Sequence, residues 1–187
     1  GLDRALEIFP EAQVVHLLRD PRDVARSCIG MGWAGTVWHG LDNWLHTETL
    51  WDTAAADLPQ AQVLTLRYEE LIAAPEQELT RTCAFLGLSY DDAMLTYDRS
   101  STYDRPDPSL VYQWQRKMSV RDIQLAEGRL GARLEQAGYA ASGHEPARPG
   151  AWESAVLYWR NKQGRWQHAI ARYGLIDPLL LAIANRT

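Results

Sequence analysis

The chain has little of what marks secreted, membrane-spanning or nucleic-acid-binding proteins. Its two cysteines among 187 residues form no disulfide framework, which indicates a reducing cytoplasm. No apolar run is long enough to cross a bilayer, and there is no secretory signal pattern. The formal net charge of −5 lacks the basic excess of a general nucleic-acid binder. We therefore expect a cytoplasmic globular protein that binds no nucleic acid.

Familiar catalytic signatures are missing as well. The histidines and cysteines do not have the spacing of zinc ligands, so no metal site is predicted. The sequence contains neither a nucleophile elbow nor a catalytic-triad cluster, which argues against the common hydrolases. The glycines at 30–35 follow a predicted helix and include no Gly-Lys-Ser/Thr sequence, which argues against a Walker-type kinase.

The spacing of apolar residues predicts alternating strands and helices. The predicted strands cover residues 13–18 and 62–67. The predicted helices cover residues 2–9, 21–32, 41–57, a segment from Pro75, and a segment from Ser119 to about Ala137. Glycine and proline predict loops at 33–39 and 98–108. The pattern is typical of an α/β protein.

A change in composition near the carboxyl end of the chain indicates a domain boundary. Residues 140–150 are rich in alanine, proline and glycine, which is typical of a linker. We therefore predict an α/β domain over 1–139, a linker over 140–150 and a helical extension over 151–187.

The most informative stretch lies where the first predicted strand ends. Arg19 follows the apolar run 14–18, which is predicted to be a fully buried parallel strand. Asp20 is a favourable N-cap and Pro21 suits the first helical position. Strand and helix thus meet with almost no loop, at the carboxyl end of a strand, where open α/β sheets bind ligands.

Arg19 and Ser27 are the candidate anion ligands at this junction. Asp20 and Ser27 are seven residues apart, about two helical turns, and so lie on one face. A guanidinium at the strand end and a hydroxyl on the helix suit a phosphate monoester. Alternatively, Arg19 pairs with Asp20 or Asp23, and Ser27 bonds back to a helix carbonyl. The residues alone leave both interpretations open.

The order Arg-Asp-Pro-Arg-Asp-Val-x-x-Ser over 19–27 resembles the 3′-phosphate motif of sulfotransferases that use 3′-phosphoadenylyl sulfate (PAPS). The flanking segments 8–12, 63–71 and 83–88 resemble the same family, especially its bacterial members, and the resemblance covers roughly residues 5–140. It implies a P-loop-NTPase-like parallel sheet flanked by helices, and transfer of a sulfuryl group from PAPS to an acceptor hydroxyl or amine. The nucleotide product would be adenosine 3′,5′-bisphosphate, and no metal would be needed.

The family also has parts that this sequence does not show. Its glycine-rich loop for the 5′-phosphosulfate and its catalytic base both precede the Arg19 motif. We therefore expect the sheet to be incomplete at the N-terminus, and the chain to be the carboxyl-terminal portion of the enzyme, inactive alone and with its catalytic base unassigned. The alternative is a non-catalytic nucleotide-binding or protein-interaction module derived from a sulfotransferase.

The resemblance assigns further residues to the two ligands. Those expected to bind the nucleotide are Arg19, Ser27, Tyr68, Arg105, Arg116 and Lys117. Those expected to line the site for a small-molecule, glycan or peptide acceptor are Met31, Trp33, Trp38 and His39. Alternatively, the aromatic side chains pack in the core. The alternative for Arg105, Arg116 and Lys117 is a solvated basic face. His16, inside a strand, is expected to be structural.

The predicted extension carries an aromatic stripe. Its members are Trp152, Trp159, Trp166 and Tyr173. The favoured interpretation is a helical appendage that packs on the domain or on a second copy, which allows a homodimer, and membrane contact is not expected. The alternative is a membrane-surface or acceptor-docking arm, because the segment is also basic.

Overall fold

The computed structural model describes residues 1–96 and 107–174. Within them the chain is a mixed α/β protein with one two-stranded parallel sheet. The strands are β1 (Val14–Leu18) and β2 (Val63–Arg67). The helices are α1 (Leu2–Ile8), α2 (Pro21–Gly30), α3 (Val37–Ala55), α4 (Tyr68–Ala73), α5 (Pro75–Phe85), α6 (Trp114–Lys117), α7 (Val120–Leu130), α8 (Arg133–Gln136) and α9 (Ala151–Tyr173).

The described residues form two compact units. The first unit consists of residues 1–19, 48–96 and 107–112, and the second of residues 20–47 and 113–174. The chain passes from one unit to the other three times: after Arg19, within α3 after Thr47, and after Tyr112.

The parallel sheet belongs to the first unit. Its register runs from Val14 opposite Val63 to Leu18 opposite Arg67, so both strands end at the same edge. Beside the sheet, the His16 ring stacks on Trp51 with their centroids 4.2 Å apart, and its Nε2 lies 3.2 Å from a Glu48 carboxylate oxygen. His16 is therefore a packed structural histidine, as expected.

The core of the second unit includes apolar side chains of α7 and α8. Ile123, Ala126, Leu130 and Leu134 are all buried, as their spacing predicts. The Ser119 hydroxyl accepts a hydrogen bond from the Asp122 amide at 3.1 Å, which confirms the predicted cap. The prediction of one helix to Ala137 is wrong, because Gly131 takes a positive φ of 54° and separates α7 from α8.

A close contact between two glycines positions α9 in the second unit. A Cβ built on Gly164 would lie 2.8 Å from the Gly35 Cα, closer than real Cβ contacts allow. Beside it, the Gly35 amide donates to Asn161 Oδ1 at 2.7 Å. Only glycine at both positions lets the backbone of α9 approach the turn before α3 this closely.

Three other sequence predictions need correction. The strand 14–18 is not fully buried, since Leu17 is 56% exposed and faces away from the packed side. The loop predicted over 33–39 ends early, because the Thr36 hydroxyl caps α3 by accepting from the His39 amide at 3.4 Å. The helix predicted over 41–57 therefore runs from Val37 to Ala55 instead.

Some predicted segments lie outside the described residues. Most of the loop at 98–108 does, and Pro108 itself begins a short 3₁₀ turn, Pro108–Leu110. The extension is described as far as residue 174, and its remainder falls outside. None of the helices in the described ranges is both long and apolar enough to span a bilayer.

Gly164→Ala tests the close contact between α9 and Gly35. We expect a loss of about 1–3 kcal/mol in the free energy of unfolding, because the added methyl group meets the Gly35 backbone. Gly30→Ala is the matched control, since nothing lies within 4 Å of a Cβ built there. Urea denaturation of both variants measures the difference, and equal stabilities would contradict the close approach.

Candidate functional site

Arg19 lies at the carboxyl end of β1, in the first unit. Its Nη2 donates a hydrogen bond to the Leu110 carbonyl at 2.8 Å. Its guanidinium carbon lies 4.4 Å from the centroid of the Tyr68 ring. The guanidinium is thus oriented by a backbone carbonyl and by an aromatic face, both within the same unit.

Tyr68 lies beside Arg19 because of the strand register. Leu18 pairs with Arg67, and Arg19 and Tyr68 are the next residue of each strand's chain. Tyr68 is also the first residue of α4, so its position is set by the end of β2 and by the start of a helix. The structure therefore brings together two side chains that the family resemblance assigned to the nucleotide.

Ser27 belongs to the second unit, on α2. Its side chain is half-buried, and α2 begins as predicted, with Asp20 as N-cap and Pro21 in the first turn. The Asp20 carboxylate accepts from the Arg22 amide at 2.9 Å. Because Arg19 and Ser27 lie in separate units, their joint use on one phosphate stays a prediction.

The second unit contains a buried ionic cluster at the start of α2, which we call the Arg22 cluster: Asp20, Arg22, Trp114 and Glu127. Arg22 donates to Asp20 through Nε at 3.0 Å and Nη2 at 2.8 Å, and to Glu127 through Nη1 at 2.6 Å. Its guanidinium carbon lies 3.7 Å from the centroid of the Trp114 ring. All four side chains are nearly inaccessible to solvent.

Further hydrogen bonds extend the Arg22 cluster. Trp114 donates from Nε1 to Asp20 at 3.1 Å and from its amide to Asp23 at 2.9 Å. The second Glu127 oxygen accepts from the Ser142 hydroxyl at 3.0 Å. Burial opposes the charge of Arg22, but its bonds to both carboxylates outweigh that penalty and raise its pKa above the ordinary value. The charge of Asp20 is thus balanced inside the second unit.

Sequence reasoning missed the roles of Arg22 and Glu127. The signal was present, because Glu127 lies four residues after Ile123 and three before Leu130, on the buried side of α7. An acidic residue at such a position requires a buried partner. Nothing in the spacing, however, identified Arg22 as that partner, 105 residues away.

The four predicted acceptor residues lie in the second unit, Met31 and Trp33 between α2 and α3, and Trp38 and His39 in the first turn of α3. Met31 and Trp33 are 52% and 59% exposed, so core packing does not explain them. Trp38 is half-buried, and Arg129 stacks on its ring at 4.8 Å and donates to its carbonyl. Whether these side chains line an acceptor site stays a prediction.

His39, the fourth of these residues, is held by Thr36. The Thr36 hydroxyl and His39 Nδ1 share a hydrogen bond of 2.8 Å. Burial lowers the pKa of His39 below its ordinary value of 6.5, and the nearby Arg129 cation lowers it further, while Asp42 acts in the opposite direction. The lowered pKa favours the neutral form of the imidazole.

Of the remaining predicted nucleotide residues, Arg116 and Lys117 belong to the second unit. Arg116 and Lys117 are exposed on α6, where Lys117 Nζ donates to Gln113 Oε1 at 3.3 Å. Arg105 lies outside the described residues. Cys28 and Cys83 are buried and form no disulfide, and the described ranges hold no cluster of metal-ligating side chains.

Comparisons with known proteins agree with this architecture. Residues 1–92 match the model of a sulfotransferase family. Omega-hydroxy-beta-dihydromenaquinone-9 sulfotransferases of Mycobacterium bovis and Mycobacterium tuberculosis are 28% identical over 157 residues, covering 76% of this chain. The chain spans only 39% of the length of those relatives.

A solved structure adds evidence for the fold. The sulfotransferase domain from the curacin biosynthetic pathway matches with a TM-score of 0.57 at 19% identity, over 74% of this chain and 58% of that one. A parallel strand pair connected through helices makes this an α/β protein. Residues 1–92 are thus similar to a sulfotransferase family, and the relatives and the solved structure that this chain resembles are sulfotransferases.

Arg22→Met tests the Arg22 cluster. We expect a loss of about 3–5 kcal/mol in the free energy of unfolding, because two buried carboxylates lose their counter-charge. Arg121→Met is the control, since its ion pair with Glu153 is exposed to solvent, and its stability should change little. Thermal and urea melts compare the two, and similar losses would show that the cluster is not special.

The lowered pKa of His39 predicts a pH effect. The unfolded chain binds this proton more readily, so the free energy of unfolding falls as the pH drops from the ordinary value through the lowered one. Proton NMR titration of the imidazole, assigned with His39→Gln, measures the midpoint. A midpoint at or above 6.5 would contradict the burial of this ring.

Proposed function

We propose that this chain carries the 3′-phosphate-binding half of a PAPS-dependent sulfotransferase. The observation that carries the proposal is the stacking of Arg19 on Tyr68 at the carboxyl edge of the β1–β2 pair. This edge is where parallel α/β sheets bind nucleotides, and a P-loop-like sheet in the whole protein is part of the proposal. The family resemblance assigned the same two residues to the nucleotide.

The residues present suit a nucleotide with a 3′-phosphate. The Arg19 guanidinium has a planar set of donors that matches phosphate oxygens, and the Leu110 carbonyl and the Tyr68 ring hold it in a defined orientation. Ser27, on α2, would contribute a hydroxyl donor. The ribose of ATP bears only hydroxyl groups and would offer the Arg19 guanidinium no matching charge. Arg19 and Ser27 would therefore select PAPS over ATP.

In this proposal the chain's residues bind and orient, and they do not react. PAPS would supply the activated sulfuryl group when it is bound. Arg19 and Ser27 would hold the phosphate at the opposite end of the nucleotide from the sulfur, which contributes through positioning. No catalytic base is assigned within this chain, so we expect nucleotide binding but no turnover from the chain alone.

The acceptor is proposed to be a small molecule with a hydroxyl group. The mycobacterial relatives support this, since their names give an omega-hydroxy compound as the acceptor. Met31 and Trp33, exposed next to α2, are proposed to contact it, together with Trp38 and His39. We propose a cytoplasmic location, where such a donor nucleotide would be available.

Arg19→Ala tests the nucleotide site. We expect the variant to bind adenosine 3′,5′-bisphosphate more weakly by about 2–5 kcal/mol, because the phosphate loses its charged partner. Binding of adenosine 5′-monophosphate should change much less, since it has no 3′-phosphate. Isothermal titration calorimetry of the full chain with both nucleotides measures the contrast.

Arg148→Ala is the matched control, because it removes an exposed arginine outside the site. Ser27→Ala should weaken binding of the bisphosphate in the same direction and by less, about 1 kcal/mol. Unchanged affinity of Arg19→Ala for the bisphosphate would count decisively against the proposed site.

A further inference from the structure

Helix α9 presents a row of aromatic side chains to solvent. Trp152, Trp159, Trp166 and Tyr173 are spaced seven residues apart and are 82%, 67%, 39% and 59% exposed. Residues seven apart differ by only about 20° around a helix, so the four rings form one stripe. With a rise of about 10.5 Å between neighbours, the stripe extends over roughly 30 Å. We call it the α9 stripe.

The opposite side of α9 is packed against the rest of the second unit. The α9 stripe is therefore not the side by which the helix joins the core. Leu157 is 6% exposed, Gly164 meets the Gly35 backbone, and Asn161 accepts from the Gly35 amide. Glu153 bonds to Arg121 of α7 at 2.5 Å and 2.8 Å. All these contacts lie within the second unit, and they hold the helix preformed with its aromatic side outward.

Helix α9 itself is positively charged, although the chain as a whole carries −5. Four cationic side chains lie on α9, and its one acidic residue, Glu153, is bound to Arg121. The cations are Arg160, Lys162, Arg165 and Arg172. Lys162 Nζ lies 4.8 Å from the Tyr158 ring centroid and 5.7 Å from that of Trp159, so cationic and aromatic groups share the exposed side.

These features favour one occupant. A second copy of α9 would bring two sets of four cations together, which like-charge repulsion opposes. A bound peptide helix needs a groove, whereas the stripe lies on the convex side of one helix. Tryptophan and tyrosine next to lysine and arginine match the boundary between headgroups and acyl chains in an anionic bilayer.

We propose that α9 docks on an anionic phospholipid surface, lying in its plane with the α9 stripe inserted at headgroup depth. Trp159 and Trp166 would enter the interface, while Lys162 and Arg165 would contact lipid phosphates. This departs from the expectation of no membrane contact, because the structure exposes the rings instead of packing them. The proposal is independent of the nucleotide site.

Vesicle flotation of the full chain tests the proposal. We expect binding to vesicles with equal parts phosphatidylglycerol and phosphatidylcholine, little binding to phosphatidylcholine alone, and release by high salt. The double variant Trp159→Ala/Trp166→Ala should bind the anionic vesicles at least about tenfold more weakly, and Lys162→Gln/Arg165→Gln should lose the preference for phosphatidylglycerol.

Two control variants separate the stripe from general stickiness. Leu50→Ala removes an exposed apolar side chain on α3, and Arg148→Gln removes an exposed cation outside α9; both should bind vesicles as the parent chain does. Circular dichroism checks that each variant is folded. Absence of binding to anionic vesicles at low salt, or binding that the double tryptophan variant retains, would overturn the proposal. So would a dimer in solution that the same variant disrupts, since a second copy would then cover the stripe.

Discussion

The second unit depends on one buried cation. Arg22 lies at the start of α2, bonds to two carboxylates, and stacks on an indole ring, all nearly removed from water. The desolvation of three charges is costly, and only their mutual hydrogen bonds offset it. Segments that are far apart in sequence, the start of α2, α6 and α7, are therefore tied to one small charged centre. That centre holds the first turn of α2 in place, and Ser27 lies further along the same helix.

The candidate site follows from a simpler constraint, the register of two parallel strands. With Leu18 opposite Arg67, the next residue on each chain emerges at the same edge, and these residues are Arg19 and Tyr68. Neither residue type alone indicates a nucleotide. The proposed function arises from their stacking at an edge that parallel sheets use for ligands, in a chain whose residues 1–92 match a sulfotransferase family model.

Local signals predicted much of this architecture and failed where distant contacts decide. The cap at Asp20, the start of α5 at Pro75 and the cap at Ser119 were predictable, because each depends on residues within one turn. The start of α3 was missed, since Gly35 suggested a loop although Thr36 caps a helix. The partner of Glu127 could not be predicted, because no periodicity links residues 105 positions apart. Exposure of the aromatic stripe was likewise outside the reach of spacing alone.

The contact between Gly35 and Gly164 also fixes the rotational setting of α9. Sliding the helix by one position would place Gln163 or Arg165 where only a hydrogen atom fits, and turn its outer surface by about 100°. The two glycines of this contact therefore fix the rotation of a 23-residue helix. The aromatic side chains that α9 exposes to solvent are therefore determined by a contact between two glycines.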